Sequence, residues 1–215
     1  MLFTWERAHW KWFMWDKRFK DHFIRYNFAK DFTKDKIVLD IACWSWYWTN
    51  ILSEISKEII WMDISKEAID FNNENYQLKN WNFVCYDWFN NPFENNYFDL
   101  IVSFETIEHI VEYENFLKEL KRVLKNDWKL IISTPNFLWE VWKNKYHVSN
   151  FTHDKFIKVV WKYFNIEKVL FQWKHYYAIP WRGILEAILN INKDFNIYEE
   201  RPDFEHHVSI LICKK

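Results

Sequence analysis

Short apolar runs that end on a polar residue, separated by helix-length stretches, constrain this chain more than any other feature. Ile37 to Ile41, Ile59 to Met62, Phe83 to Tyr86, Phe98 to Phe104 and Leu130 to Ser133 read as strands. They are shorter than a buried helix and are bounded by turn residues. Between them the pattern turns helical. A helix is expected from about Trp48 to Ser56, and a second is capped by Ser65 with Glu67 in its first turn. A third is marked by Leu117, Leu120 and Leu124. Residues 16–33 form a leading helix with Phe19, Phe23, Tyr26 and Phe28 toward one face, and Thr152 opens another that contains Phe156 and Val160. Ile166 to Phe171 and Val208 to Ile212 are late strands, the last of them antiparallel near His207 to Cys213. Strands alternating with helices predict an α/β fold: a seven-stranded, mostly parallel sheet with helices on both faces. Ligands of such sheets bind beyond the C-terminal strand ends, so residues just past each strand carry the functional weight.

Composition removes several function classes. The 215 residues make one domain with room for a core, and a net charge of −1 gives no basic field for nucleic acid. Cys43, Cys85 and Cys213 are widely spaced and odd in number, which fits neither a disulfide framework nor a zinc site and points to a reducing compartment. Glu6, Arg7, Lys11 and Asp16 interrupt any signal-peptide core, and no apolar run approaches the roughly 18 residues of a membrane span. The expectation is a cytoplasmic chain; nothing fixes its oligomeric state.

One number is abnormal: 16 Trp stand against a single glycine, Gly183. Together they fill about the 7% share that glycine alone normally takes. The tryptophans also occupy glycine contexts. They follow Asn80, Asp87 and Asp127, giving Asn-Trp and Asp-Trp where turns favour Asn-Gly and Asp-Gly. The chain is rich in Asn, Lys, Ile and Phe, as AT-rich coding produces. The pattern reads as a translation in which UGA is written Trp but decoded as Gly; the alternative is a chain that truly holds its tryptophans.

The stretch Val38-Leu39-Asp40-Ile41-Ala42-Cys43-Trp44-Ser45-Trp46-Tyr47-Trp48-Thr49 sets an acidic residue on an apolar strand ahead of a loop. With glycine at Trp44, Trp46 and Trp48 it resembles motif I of class I S-adenosylmethionine (SAM)-dependent methyltransferases, Ala42 replacing the first glycine. Such a loop must turn sharply and pass against the methionine and ribose part of the cofactor, where a Cβ would collide. Asp63, in Trp61-Met62-Asp63-Ile64, ends the second strand and matches the family carboxylate that accepts the ribose hydroxyls. Asp87, in Tyr86-Asp87-Trp88, matches the residue that accepts from the adenine amino group. The resemblance extends to Phe98 through Ile110, to Leu124-Lys125-Asn126-Asp127-Trp128-Lys129-Leu130, and to an N-terminal lid around Thr4-Trp5-Glu6-Arg7 and His22 to Tyr26. It implies SAM as cofactor, with Asp40, Ala42, Trp44, Trp46, Asp63, Ile64, Asp87 and Trp88 at its site. It also implies one methyltransferase domain over 1–215: a lid helix at 1–33, a cofactor core at 34–173, and an acceptor-side segment with the last strand at 174–215. Residues 174–205, with Trp181 to Leu189 as a helix, are expected to cover the acceptor pocket.

Glu105, Glu108 and His109 stand at i, i+3 and i+4, so one helical turn presents all three on one face. Two readings stay open. Glu108 or His109 acts as general base toward an acceptor oxygen or nitrogen. Alternatively, Glu105, Glu108, His109 and His147 hold a divalent metal, as the resemblance to ubiquinone-pathway and small-RNA methyltransferases implies. His153 is expected on the surface. The acceptor is expected to be a small molecule or a glycan or lipid precursor, with no nucleic-acid or membrane signal. A nicotinamide-dependent oxidoreductase is the weaker alternative, because Thr49 stands where its third glycine belongs. If the tryptophans are real, a non-catalytic binding domain is the better reading.

Intact-mass measurement on protein from the source organism tests the recoding. A mass well short of the sixteen-tryptophan value is expected; a mass equal to it contradicts the reading.

Overall fold

The computed structural model describes residues 17–42, 46–75, 80–87, 89, 91–139, 144–172, 197–198 and 208–215. In chain order its elements are α1 (Lys17–Lys30), β1 (Ile37–Ile41), α2 (Trp46–Ser53), β2 (Glu58–Asp63), α3 (Lys66–Asn75), β3 (Trp81–Cys85) and β4 (Phe98–Phe104). They continue with α4 (Tyr113–Val123), β5 (Leu124–Pro135), α5 (His153–Trp161), β6 (Asn165–Gln172), β7 (Ile197–Tyr198) and β8 (Val208–Lys214). One sheet holds every strand, in the order β3-β2-β1-β4-β5-β8-β6-β7. β1 through β5 pair in parallel, and β8 runs antiparallel between β5 and β6. The described sheet therefore contains the seven expected strands plus a two-residue edge strand, β7. The Trp181–Leu189 helix and the rest of the expected pocket cover lie outside the described residues, apart from β7.

Strand alternation builds two cores, one on each face. Val38, Leu100, Val102, Phe104, Ile131 and Ile210 pack with Tyr26 and Ala29 of α1 and with Ile51 and Leu52 of α2. Leu39, Ile41, Ile101, Ile132 and Leu211 point the other way, onto Phe116, Leu117 and Leu120 of α4 and Phe156 and Val160 of α5. A strand of period two buried on both sides makes both outcomes compulsory. In that first core Trp61 is fully buried edge-to-face on Phe83, and its indole N–H finds no partner. An orphaned buried donor costs about 1–3 kcal/mol.

Three expectations shift. α2 begins at Trp46 and ends at Ser53, two to three residues ahead of the expected span. β5 starts at Leu124, which the apolar spacing placed on the preceding helix. Pairing with Phe98 takes Leu124 out of the helix and buries it completely, so tertiary contact outweighs local periodicity. His153 is only 8% exposed, not on the surface: Nδ1 lies 3.1 Å from the Ser209 hydroxyl of β8, and the ring packs on Phe171.

Thr152 caps α5 as expected, in extended conformation, its hydroxyl accepting from the Lys155 backbone N–H at 3.3 Å. Thr152→Ala should lower stability by about 1 kcal/mol, read as a smaller urea midpoint at unchanged slope, while Thr152→Ser should keep most of it. No change in Thr152→Ala would contradict the cap.

Candidate active site

Five parallel strands bring their C-terminal ends to one edge, and the expected residues gather there. The chain leaves β1 at Ala42, whose φ of 58° lies in the left-handed region. Its N–H donates to the Met62 carbonyl of β2 at 2.9 Å. An L-residue with a Cβ pays roughly 1–2 kcal/mol for that conformation, so this is a position made for glycine, as the motif has it. Trp44 lies outside the described residues; Trp46 opens α2, and nothing is described of its side chain. Asp63 ends β2 half-buried, with Oδ1 accepting from the Ser65 N–H at 2.8 Å. Ile64 beside it is 62% exposed at the same edge. Asp87 follows β3, exposed, with Oδ1 accepting from the Phe89 N–H at 2.9 Å. Trp88 is outside the described residues. Asp40 behaves differently from its neighbours. Its carboxylate is fully buried beneath α1 and accepts the Tyr26 hydroxyl at 3.1 Å, which ties the leading helix to the strand that carries the loop.

Beyond β4 the acidic–histidine cluster separates into two parts. Glu105 has φ of 53°, and its Oε1 accepts the Ser133 hydroxyl at 3.1 Å. The next residues form a one-turn 3-10 helix, Ile107–His109. Glu108, His109 and His147 converge there, with ligand atoms all within 4.8 Å of one another, whereas Glu105 is not part of that group. The left-handed turn at Glu105 breaks the single helical face that the spacing predicts. His109 Nδ1 is 3.0 Å from the Tyr146 carbonyl. A carbonyl only accepts, so Nδ1 carries the proton and Nε2 is the ring's acceptor atom when neutral. The His147 ring stands edge-on to His109, centroids 4.8 Å apart.

Glu108 is 2% exposed, takes the Thr134 hydroxyl on Oε2 at 3.0 Å and leaves Oε1 without a partner. Burial is the main reason its carboxyl is pushed well above the usual range, and the Glu105 charge adds to the effect. The Thr134 hydrogen bond and the Arg25 charge oppose it. Thr134 was not legible as a site residue; its only sequence signal is its place at the end of the fifth strand. Arg25 of α1 is likewise unforeseen, since the helical pattern made it one residue of a lid.

A family model described as a methyltransferase domain matches residues 39–132. Over those residues the chain carries a SAM-dependent methyltransferase domain. An uncharacterised protein of Methanocaldococcus jannaschii is 33% identical over 103 residues, which are 48% of this chain and 42% of that protein. The ubiquinone biosynthesis O-methyltransferase of Coxiella burnetii is 29% identical over 105 residues, 48% of this chain and 45% of that one. The chain spans less than half the length of the first curated relatives it matches. Among solved structures, the N-methyltransferase NodS of Bradyrhizobium japonicum, in complex with S-adenosylhomocysteine, shares the fold. Its TM-score is 0.65 at 12% identity, covering 97% of this chain and 94% of that one. No helix among the described residues is long and apolar enough to cross a membrane.

SAM fits this edge of the domain on local chemistry: a left-handed exit at Ala42, a conformation that favours a small residue, and carboxylates past the ends of β2 and β3.

The raised Glu108 carboxyl has a stability consequence. Its folded value lies above the ordinary carboxyl value of 4.5, so its favourable contribution is complete below about pH 4.5 and disappears as pH rises through the folded value. In chelated protein, Glu108→Gln should therefore be more stable than wild type at neutral pH. That advantage should shrink as pH falls toward 4.5. Urea midpoints that differ equally at every pH would contradict the shift.

Proposed function

We propose that this chain transfers the methyl group of SAM to an oxygen or nitrogen of a small-molecule acceptor, glycan and lipid precursors included. The observation that carries the reading is the convergence of Glu108 and His109 immediately past β4, beside the edge where Ala42, Asp63 and Asp87 stand. When bound, SAM supplies a methyl carbon on a sulfonium, open to in-line displacement. The chain's own residues do the rest. Asp63 accepts the ribose hydroxyls and Asp87 the adenine amino group, while Ala42, Ile64 and positions 44, 46 and 88 line the cofactor. His109 Nε2 takes the acceptor's proton, and the imidazolium so formed is steadied by the Tyr146 carbonyl at Nδ1. Glu108, buried against Thr134, supplies the adjoining carboxyl. Much of the acceleration comes from holding acceptor and methyl carbon in line. The proposal treats residues 1–215 as one domain, with 1–33 as lid, 34–173 as cofactor core and 174–215 on the acceptor side.

A second reading has an observation of its own. Glu108, His109 and His147 lie close enough to hold a divalent ion, which would supply positive charge at an acceptor oxygen. Elemental analysis and transfer of labelled methyl to a metabolite extract of the source organism separate the two. The base reading expects full transfer after exhaustive chelation and reduced transfer in His109→Ala. Loss of transfer on chelation, with S-adenosylhomocysteine binding kept, favours the metal.

The cofactor assignment is checked separately. Asp63→Ala should weaken S-adenosylhomocysteine binding by about tenfold to a hundredfold, the worth of charge-assisted hydrogen bonds to the ribose. Calorimetry giving equal affinities would remove Asp63 from the site.

A further inference from the structure

The loop that carries His147 turns its polar groups inward and its apolar ones outward. The Asn144 side-chain oxygen accepts the Tyr146 N–H at 3.0 Å, and the Asn144 carbonyl accepts the His147 N–H at 3.0 Å. The Tyr146 carbonyl accepts from His109 Nδ1. The Ser149 N–H donates to the Glu108 carbonyl at 2.9 Å, and its buried hydroxyl donates to the Ile110 carbonyl at 2.8 Å. These bonds stitch 144–149 onto 108–110. What the segment shows outward is aliphatic and aromatic: Val111 is 73% exposed, Val148 53% and Tyr146 39%. Leu138, 67% exposed, stands past the end of β5, the strand whose Thr134 holds Glu108. Its neighbour Phe137 donates its N–H to the Phe151 carbonyl at 2.8 Å, which ties that turn to the same loop.

A single exposed apolar residue needs no explanation, but these are not scattered. Val111 follows closely on His109, and Tyr146 and Val148 flank His147, so three of them bracket the two histidines of the cluster. An acceptor that gives its proton to His109 Nε2 has to lie against residues that flank His109. A bare glycan laid there would give up water from its hydroxyls without gaining partners, because the N–H and carbonyl groups named above are already bonded. An alkyl, acyl or isoprenoid chain would instead bury apolar surface against the same side chains.

We propose that Val111, Tyr146 and Val148, with Leu138, form a subsite for the apolar chain of the acceptor, which is therefore an alkyl-, acyl- or isoprenoid-bearing small molecule rather than a bare glycan. This rests on the methyl-transfer reading above and narrows its substrate class. His109 handles the acceptor's proton, and the apolar rim selects the molecule that brings it.

The test supplies labelled SAM and a metabolite extract of the source organism to protein that carries the residues its own organism's decoding supplies, and partitions the products between water and octanol. Wild type should place the transferred label in octanol. Val111→Asp and Val148→Asp should each cut transfer about tenfold to a hundredfold at dilute extract, the worth of burying one aliphatic side chain. Transfer should recover as the extract is concentrated, and Val148→Ile should keep the wild-type rate. S-adenosylhomocysteine affinity and the urea midpoint should stay at wild-type values in all three, because exposed positions carry little stability. Transferred label confined to water overturns the subsite, as does wild-type transfer by both Val111→Asp and Val148→Asp at dilute extract. A matching loss of S-adenosylhomocysteine affinity, or a lower urea midpoint, also overturns it, since the residues would then serve the cofactor or the fold. If Val148→Asp abolishes sedimentation with phosphatidylcholine–phosphatidylglycerol vesicles yet leaves transfer intact, the rim is a membrane contact and the subsite falls. Wild type that binds S-adenosylhomocysteine but labels nothing removes the methyl-transfer reading itself, and the subsite with it.

Discussion

The chain leaves β1 at Ala42 in a left-handed turn, with φ of 58°, and the rest of the site is arranged around that exit. Turning there frees the edge, and α2 starts four residues later. The hydrogen bond from the Ala42 N–H to the Met62 carbonyl fixes the turn to β2, whose last residue is Asp63. The Tyr26–Asp40 contact fixes the same strand to α1. A second left-handed residue, Glu105, ends β4. Such conformations at non-glycine residues concentrate at functional sites, and these two follow the C-terminal ends of the neighbouring strands β1 and β4.

Much of this was legible in the sequence, for a physical reason. β4 runs from Phe98 to Phe104 as read, because seven buried residues in a row leave a strand little freedom in where it ends. The Thr152 cap was legible because capping is local chemistry between residues three apart. What failed depends on partners far along the chain. Leu124 fits the apolar stripe of α4 until Phe98 claims it for the sheet. His153 looks like a surface residue of a first helical turn until Ser209, 56 positions away, takes its Nδ1. Glu105 belongs to one helical face with Glu108 only if the backbone is helical there, which its positive φ prevents. Arg25 is charged in a segment that otherwise reads as a packing helix, and only Gln172, 147 positions on, shows where it sits.

The two faces of the sheet divide the chemistry. On the α1 side, Arg25 stands over Phe104 at the end of β4 and Glu105 takes the Ser133 hydroxyl. On the side of α4 and α5, Thr134 holds the buried Glu108 close to His109 and His147. Thr134 and Ser133 are consecutive on β5, so strand alternation alone sends their hydroxyls to opposite faces. One strand thereby anchors both carboxylates on opposite faces, while the Glu105 charge still adds to the effect of burial on Glu108.

SAM is proposed to bind across the C-terminal ends of β1, β2, β3 and β4. Hydrogen exchange read by mass spectrometry, with and without S-adenosylhomocysteine, is the sharpest test of that placement. Slowed exchange is expected at 42–49, 63–66, 86–89 and 105–110, with no change at the opposite edge of the sheet, at 33–36, 56–58 and 95–97. Protection confined to that opposite edge, or no protection at saturating ligand, would contradict it.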